Sequence, residues 1–216
     1  MSYAAFDIGN IILHVDLDKH ITDISNIFKI TQEDALEFLK NIQVKQDLGV
    51  NDYQSCAHHY FGSRDYKFDR TMFQQAYKSW LDCVQLCQPM IDMIASLIEK
   101  GIQVSFLSNM GFDHKNHIYE LLLQTDSGRI VKEKSYFYFS CDLNVRKPSL
   151  VFYKTFVEVF DKYKGCIYID DIMDNLKAAK LCGFDPIYFN LDEIQDIETS
   201  VQDLEIHIIR KTRGLL

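Results

Sequence analysis

Short apolar segments alternate with stretches of helical periodicity along most of the chain. The apolar run at residues 3–6 ends at Asp7 and is typical of a buried strand that enters a turn. Similar runs predict strands at 102–107, 136–140, 166–169 and 186–189, and helical patterns separate them at 89–100, 114–123, 149–159 and 173–181. Strands that alternate with helices form parallel βαβ units, so we predict an α/β fold with an open, doubly wound parallel sheet.

One long segment, residues 17–88, departs from this alternation and has a polar-faced helical pattern. Thr31 followed by Asp34 is typical of a capping box at the start of a helix, and Asp52 and Asp69 are placed to begin two more helices. We therefore predict that residues 17–88 form a helical cap, inserted into a core made of residues 1–16 and 89–216.

Composition limits the kinds of partner. The 216 residues carry a net charge of −8, which argues against nucleic acid because binding to a phosphate backbone requires an excess of Lys and Arg. No stretch approaches the roughly 20 apolar residues that cross a bilayer. The amino-terminal segment has no basic stretch ahead of a hydrophobic one. We expect a cytoplasmic monomer or weak dimer without membrane contact, in which the six cysteines are reduced thiols.

Polar residues follow three predicted strands, and a lysine precedes a predicted helix. Since the carboxyl ends of parallel strands meet at one edge of a sheet, we expect these side chains to converge there. Carboxylates suit a magnesium ion, while a lysine and a hydroxyl suit the oxygens of a phosphoryl group. The residues are Asp7, Ser108, Asn109, Lys147, Asp170 and Asp171.

Four segments, at residues 6–12, 106–109, 146–148 and 168–175, resemble the four ordered motifs of the haloacid dehalogenase (HAD) superfamily. The resemblance covers almost the whole chain, and the cap is its least specific part. Within the superfamily, residues 140–148 and the Asp-x-Gly-Asn form of the first motif are similar to the small sugar-phosphate phosphatases of the α-glucose-1-phosphate phosphatase type. The resemblance implies a Rossmann-like core and a magnesium-dependent phosphatase whose substrate is a small-molecule phosphomonoester.

The same resemblance implies a role for each motif residue. Asp7 would attack phosphorus and become an aspartyl phosphate, and Lys147 would pair with both the phosphate and Asp7. Ser108 and Asn109 would bind the phosphate. The implied Mg²⁺ ligands are Asp7, the backbone carbonyl of Gly9, Asp171 and, mainly in the outer shell, Asp170.

Gly9 departs from most phosphatases of the superfamily, which carry there a second aspartate as general acid and base. Such catalysis is worth about 10² to 10⁴ in rate. A cap residue, a water, or a leaving group that needs little protonation, such as an anomeric hydroxyl, would compensate. Two alternatives stay open: a catalytically silent binding or regulatory protein, and a metal-free haloacid dehalogenase, against which the two acids at Asp170 and Asp171 argue.

Overall fold

The computed structural model describes residues 2–64, 69–160 and 165–215. Its strands are β1 (Ser2–Phe6), β2 (Leu13–Val15), β3 (Val84–Leu86), β4 (Ile102–Ser108), β5 (Tyr136–Phe139), β6 (Ile167–Asp170) and β7 (Asp185–Tyr188). Its helices are α1 (Leu17–Phe28), α2 (Gln32–Asp47), α3 (Tyr53–Gly62), α4 (Arg70–Asp82), α5 (Gln88–Glu99), α6 (Phe112–Leu122), α7 (Asp126–Lys134), α8 (Ser140–Leu143), α9 (Leu150–Val159), α10 (Met173–Leu181) and α11 (Ile197–Thr212).

Five parallel strands form the central sheet, in the order β5-β4-β1-β6-β7. The strand β1 lies in the middle, where Phe6 is in register with Phe106 of β4 and with Ile169 of β6. A parallel strand buried on both faces reads as a continuous apolar run, which explains why the sequence predicted it. The predicted α/β fold with a doubly wound parallel sheet is confirmed, and the carboxyl ends of β4, β1 and β6 are neighbours.

Helices cover both faces of this sheet. Because successive side chains of a strand point to opposite faces, Ala4 and Phe6 pack in the apolar layer that includes α5 and α11, whereas Ala5 packs in the layer that includes α9 and α10. The helices α7 and α11 were not predicted, although Val201, Leu204 and Ile208 of α11 have helical spacing and are buried. None of the helices in the described part of the chain has both the length and the apolar character that a bilayer crossing requires.

The helices α1 to α4 pack around an apolar cluster of their own, which includes Phe38 and Tyr53. Side chains of Thr31, Asp52 and Asp69 cap three of them, as the sequence predicted. The all-helical prediction for residues 17–88 missed β3, which pairs antiparallel with β2 and forms a two-stranded ribbon beside the core. The predicted division into a core and an inserted cap stays a prediction, and we use the word cap for α1 to α4.

Candidate active site

A buried lysine joins two carboxylates at the carboxyl edge of the sheet. Lys147 Nζ lies 2.9 Å from Asp7 Oδ1 and 2.8 Å from Asp170 Oδ2. Asp7 follows β1 and Asp170 ends β6, whereas Lys147 comes from the loop before α9. All three residues are at least nine-tenths buried. Charges buried this deeply are tolerated when they are paired and hydrogen-bonded, so the three side chains form one interdependent unit.

Asp170 is surrounded by donors. Besides Lys147, the hydroxyl of Tyr168 donates to Oδ2, the backbone N–H of Ile172 donates to Oδ1 at 2.7 Å, and Asn175 Nδ2 lies 3.1 Å from both oxygens. Because both oxygens of Asp170 already accept hydrogen bonds from the protein, Asp170 fits its predicted place in the outer shell of the metal ion. The sequence analysis did not assign Tyr168 a role. Because side chains alternate along a strand, Tyr168 lies on the same face of β6 as Asp170, and this spacing could have predicted the contact.

Asp171, the next residue, is only half-buried and faces a cavity between the sheet edge and the cap. Asn10 Nδ2 donates to Asp171 Oδ2 at 3.2 Å, while Asn10 Oδ1 is buried and has no hydrogen-bond partner among the described residues. The backbone of Asn10 has a φ of 52°, a left-handed conformation that asparagine tolerates better than most residues. Asn10 therefore orients Asp171, a role that sequence reasoning did not assign.

Asp7, Asp170 and Asp171, which we call the carboxylate cluster, bring carboxylate oxygens within 4.8 Å of one another. Burial raises the pKa of Asp7 to about 7 and also raises the pKa of Asp171, and the neighbouring Asp170 charge adds to both shifts. A single lysine leaves this group of acids with excess negative charge. The donor set and this excess fit a divalent cation such as Mg²⁺, for which oxygen ligands are preferred. Gly9 lines the cavity next to Asp7, where its carbonyl was predicted to serve as a further ligand.

Ser108 is the last residue of β4, which is one residue longer than the predicted strand, and Asn109 follows it; their side chains have different surroundings. Ser108 lines the cavity and is 2% exposed. Asn109 also lines it, yet both ends of its amide bind the backbone of Lys147: Nδ2 donates to the carbonyl at 2.9 Å, and Oδ1 accepts from the N–H at 2.7 Å. Asn109 thus fixes the loop that carries the lysine, and a direct role in phosphate binding stays a prediction.

The cavity between this edge and the cap has a volume of about 420 Å³. This volume falls in the range that holds small molecules, about 300–1,000 Å³. Core residues lining it include Asp7, Gly9, Asn10, Ser108, Asn109, His114, Arg146, Lys147 and Asp171, and cap residues include Leu36, Leu39, Lys40, Gln43, Gln46, Asp47 and Trp80. His14 is exposed on β2 and lies outside this lining.

One histidine that the sequence did not single out does face the cavity. His114 Nε2 lies 2.7 Å from the carbonyl of Trp80, so this nitrogen carries a proton and donates it. Burial lowers the pKa of His114 to about 4. At neutral pH the imidazole is therefore uncharged.

Comparisons with known proteins agree on the fold. No protein-family model matches the chain, and no curated protein matches its sequence. A HAD family enzyme from Bacteroides thetaiotaomicron, solved in complex with magnesium and inorganic phosphate, has a TM-score of 0.76 at 18% identity; the match covers 91% of this chain and 98% of that one. A predicted HAD-like family hydrolase from Porphyromonas gingivalis has a TM-score of 0.75 at 18% identity, covering 94% and 98%.

A third solved structure, described as a dehalogenase, has a TM-score of 0.64 at 12% identity and covers 93% of this chain and 90% of that one. Identities this low establish a shared fold and leave activity open. The chain therefore has the fold of the HAD family hydrolases.

Proposed function

We propose that this protein is a magnesium-dependent phosphatase of the HAD superfamily that hydrolyses a small-molecule phosphomonoester through an aspartyl phosphate on Asp7. The observation that carries the proposal is the unit formed by Lys147 with Asp7 and Asp170, beside the half-buried Asp171 and at the floor of a cavity. The magnesium and phosphate bound to the Bacteroides enzyme of the same fold support this assignment.

The environment of Asp7 suits a nucleophile. Its Oδ1 accepts from the backbone N–H of Ile8 at 2.7 Å and lies 2.9 Å from Lys147 Nζ. These two contacts hold the carboxylate in one orientation. One oxygen then attacks phosphorus, the bond from phosphorus to the ester oxygen breaks, and that oxygen takes a proton from water and leaves as the alcohol.

Water then attacks the aspartyl phosphate, releases inorganic phosphate and restores the carboxylate. During both steps Lys147 and the hydroxyl of Ser108 would stabilise the phosphoryl oxygens. Bound by Asp7, Asp171 and the carbonyl of Gly9, Mg²⁺ would neutralise the negative charge of the carboxylates and the phosphoryl group.

The metal-free dehalogenase is the weaker alternative, although two solved structures of the same fold are described as those of a dehalogenase. A 2-haloacid is an anion, and Asp170 and Asp171 would repel it in the absence of a cation. The silent binding protein has Gly9 as its support. The contact between Asp7 and Lys147, together with the carboxylate cluster, argues against a silent protein because these residues form a complete catalytic set.

The experiment is phosphate release from a panel of sugar, nucleotide and simple alkyl phosphates, with Mg²⁺ or with EDTA. We expect turnover that requires Mg²⁺ and that falls at least about 10³-fold in Asp7→Asn, because the nucleophile is lost. Asp203→Asn, an exposed acid on α11, is the matched control and should retain full activity.

Two results would contradict the proposal. Turnover that survives in both EDTA and Asp7→Asn would exclude this mechanism. Mg²⁺ binding without hydrolysis of any ester would instead favour the silent binding protein.

A further inference from the structure

Two neighbouring residues of the core helix α6 contact the cap beside the cavity. Asp113 is the second residue of α6, and its carboxylate accepts hydrogen bonds from the backbone N–H of Tyr53 at 2.9 Å and from the hydroxyl of Tyr77 at 3.1 Å. His114, the next residue, donates from Nε2 to the backbone carbonyl of Trp80 at 2.7 Å. The start of α6 is therefore bound to both α3 and α4 of the cap.

The Asp113 carboxylate lies at the amino terminus of a cap helix. Tyr53 is the first residue of α3, where backbone N–H groups have no partner within the helix. A negative charge is favourable at this end because the helix dipole is positive there. Asp52 caps the N–H of Ser55 at the same end, so Asp113 supplies α3 with a second acceptor, from the core.

Trp80 connects this contact to the cavity. Trp80 and His114 belong to the cavity lining, whereas Asp113 and Tyr77 lie outside it. The indole ring stacks on His114 at 4.3 Å and on Tyr53 at 5.5 Å between ring centroids. Since the N–H of Tyr53 binds Asp113, the two residues of α6 fix both of the rings that stack on Trp80.

Buried hydrogen bonds also join the cap helices to one another around Trp80. His20 of α1 is fully buried, and its Nδ1 lies 2.8 Å from the hydroxyl of Ser79, which donates to Asp23 at 2.7 Å. The ring of His20 lies 5.0 Å from that of Trp80 and 5.8 Å from that of Tyr53. Such networks make the elements that they join rigid, so a contact made by α3 and α4 also fixes α1.

We propose that Asp113 is a positioning residue for ester binding, which acts by holding Trp80 and the cap side of the cavity against α6. This inference rests on the proposed phosphatase function, whose substrate is the ester. Because Asp113 lies outside the cavity lining, phosphoryl transfer on a bound ester does not depend on it. If only a fraction of the molecules has the cap side in place, the apparent affinity for the ester falls by that fraction.

Three variants test the inference. Asp113→Ala removes both hydrogen bonds, Asp113→Asn keeps one acceptor oxygen, and Tyr77→Phe removes a single donor. For each we measure kcat and KM for phenyl phosphate in Mg²⁺. We expect KM to rise about 10-fold in Asp113→Ala and about 3-fold in the other two variants, with kcat unchanged within about twofold, as expected for the loss of two hydrogen bonds and of one.

The fluorescence of Trp80 gives a second measurement that does not require catalysis, because Trp80 is the only tryptophan in the chain. If Asp113 holds Trp80 against α6, acrylamide should quench the fluorescence about twofold more strongly in Asp113→Ala, since a larger fraction of molecules then exposes the ring. Asp113→Asn should lie between Asp113→Ala and the wild type. Unchanged quenching in Asp113→Ala would show that Asp113 does not position Trp80.

The matched control is Asp142→Asn. Asp142 accepts from Lys115 of the same helix α6 at 2.6 Å, but it belongs to α8 of the core and lies outside the cavity lining. KM and quenching should not change in this control. Changes there as large as in Asp113→Ala, a constant KM in Asp113→Ala, or a loss of kcat without a rise in KM would each overturn the inference.

Calorimetry separates this inference from the proposed function. In an Asp7→Asn background with Mg²⁺, adding Asp113→Ala should weaken the binding of phenyl phosphate about 10-fold. Inorganic phosphate has no leaving group that could contact the cap, and its affinity should stay the same. If the wild type hydrolyses no ester but this difference is present, the phosphatase proposal fails while the role of Asp113 is supported. Equal effects on the two ligands would refute that role whether or not hydrolysis occurs.

Discussion

Buried polar side chains on the two sides of the cavity differ in how completely they are hydrogen-bonded. At the sheet edge, the donors and acceptors of Lys147 and Asp170 bind one another. On the opposite side of the cavity, Gln46 Oε1 and Arg146 Nε are buried and have no hydrogen-bond partner among the described residues. The first network is saturated with hydrogen bonds and holds its shape without a ligand. The contrast separates a part of the site that its own hydrogen bonds hold rigid from a part whose buried polar atoms are incompletely paired.

The strongest way to break the saturated side is to remove its cation. Lys147→Met keeps most of the side-chain volume but leaves Asp7 and Asp170 buried without their partner. We expect the free energy of unfolding to fall by about 3–5 kcal/mol, as for broken buried ion pairs, and phosphatase activity to disappear. Urea unfolding measures the first effect. Mg²⁺ should restore part of the lost stability because it replaces the missing positive charge, and equal stability with and without the ion would contradict this explanation.

The pH provides a second test of the same side. Burial raises the pKa of Asp7 to about 7 in the metal-free protein, above the value of about 3.9 in an unfolded chain. The folded state therefore binds the extra proton between these values, and metal-free stability should fall as the pH rises through this window. Mg²⁺ needs the carboxylate, so its affinity should weaken by up to about tenfold per pH unit below pH 7.

Calorimetric titrations of Mg²⁺ at pH 5.5, 6.5 and 8 measure this linkage. Proton release on binding should be clear at pH 5.5 and small at pH 8. An affinity independent of pH over this range would mean that Asp7 is ionised throughout and that the sheet edge tolerates its charges without a cation.

A smaller change removes one hydroxyl from the network. Tyr168→Phe deprives Asp170 of a donor and Lys147 of a contact at 3.0 Å, inside a fully buried setting. We expect a loss of about 1–3 kcal/mol in stability and a smaller loss of activity than in Lys147→Met. Thermal unfolding compares it with Tyr188→Phe, whose hydroxyl binds Glu193 at the surface and should matter little.

The smallest expected effect on stability comes from adding a side chain. Gly9 has no positive φ, and a Cβ built there meets nothing within 4 Å, so with Mg²⁺ present to offset the added charge Gly9→Asp should change the free energy of unfolding by less than about 1 kcal/mol. The new carboxyl should raise rates most for esters whose leaving alcohol needs a proton. Unchanged relative rates across alkyl and anomeric phosphates would argue against the glycine as a determinant of substrate choice.

Local pattern was sufficient to predict the sheet edge from the sequence. Asp7, Ser108 and Asp170 lie at the ends of apolar runs, and parallel pairing then brings them to one edge. The strand β3 was missed because three residues are too few for a periodic signal. The helix α11 was missed although its apolar spacing was present.

Contacts between residues far apart in the chain could not be predicted from local sequence pattern. Asp47 and Arg146 are 99 positions apart and meet only because α2 docks against the core. The binding of Asn109 to the backbone of Lys147 likewise joins two distant motifs whose residue types alone suggest separate tasks. Neither pairing has a signature in local spacing.

The two hydrogen bonds between the Asn109 side chain and the backbone of Lys147 also determine which parts of the chain can change without moving the lysine. They join the end of β4 directly to the residue that carries the ammonium group, across 37 intervening positions. The exposed positions of α6 and α7 within this segment lie outside the bridge, so substitutions there should not displace Lys147. The fold thus separates a fixed anchor from surface positions whose side chains can change around it.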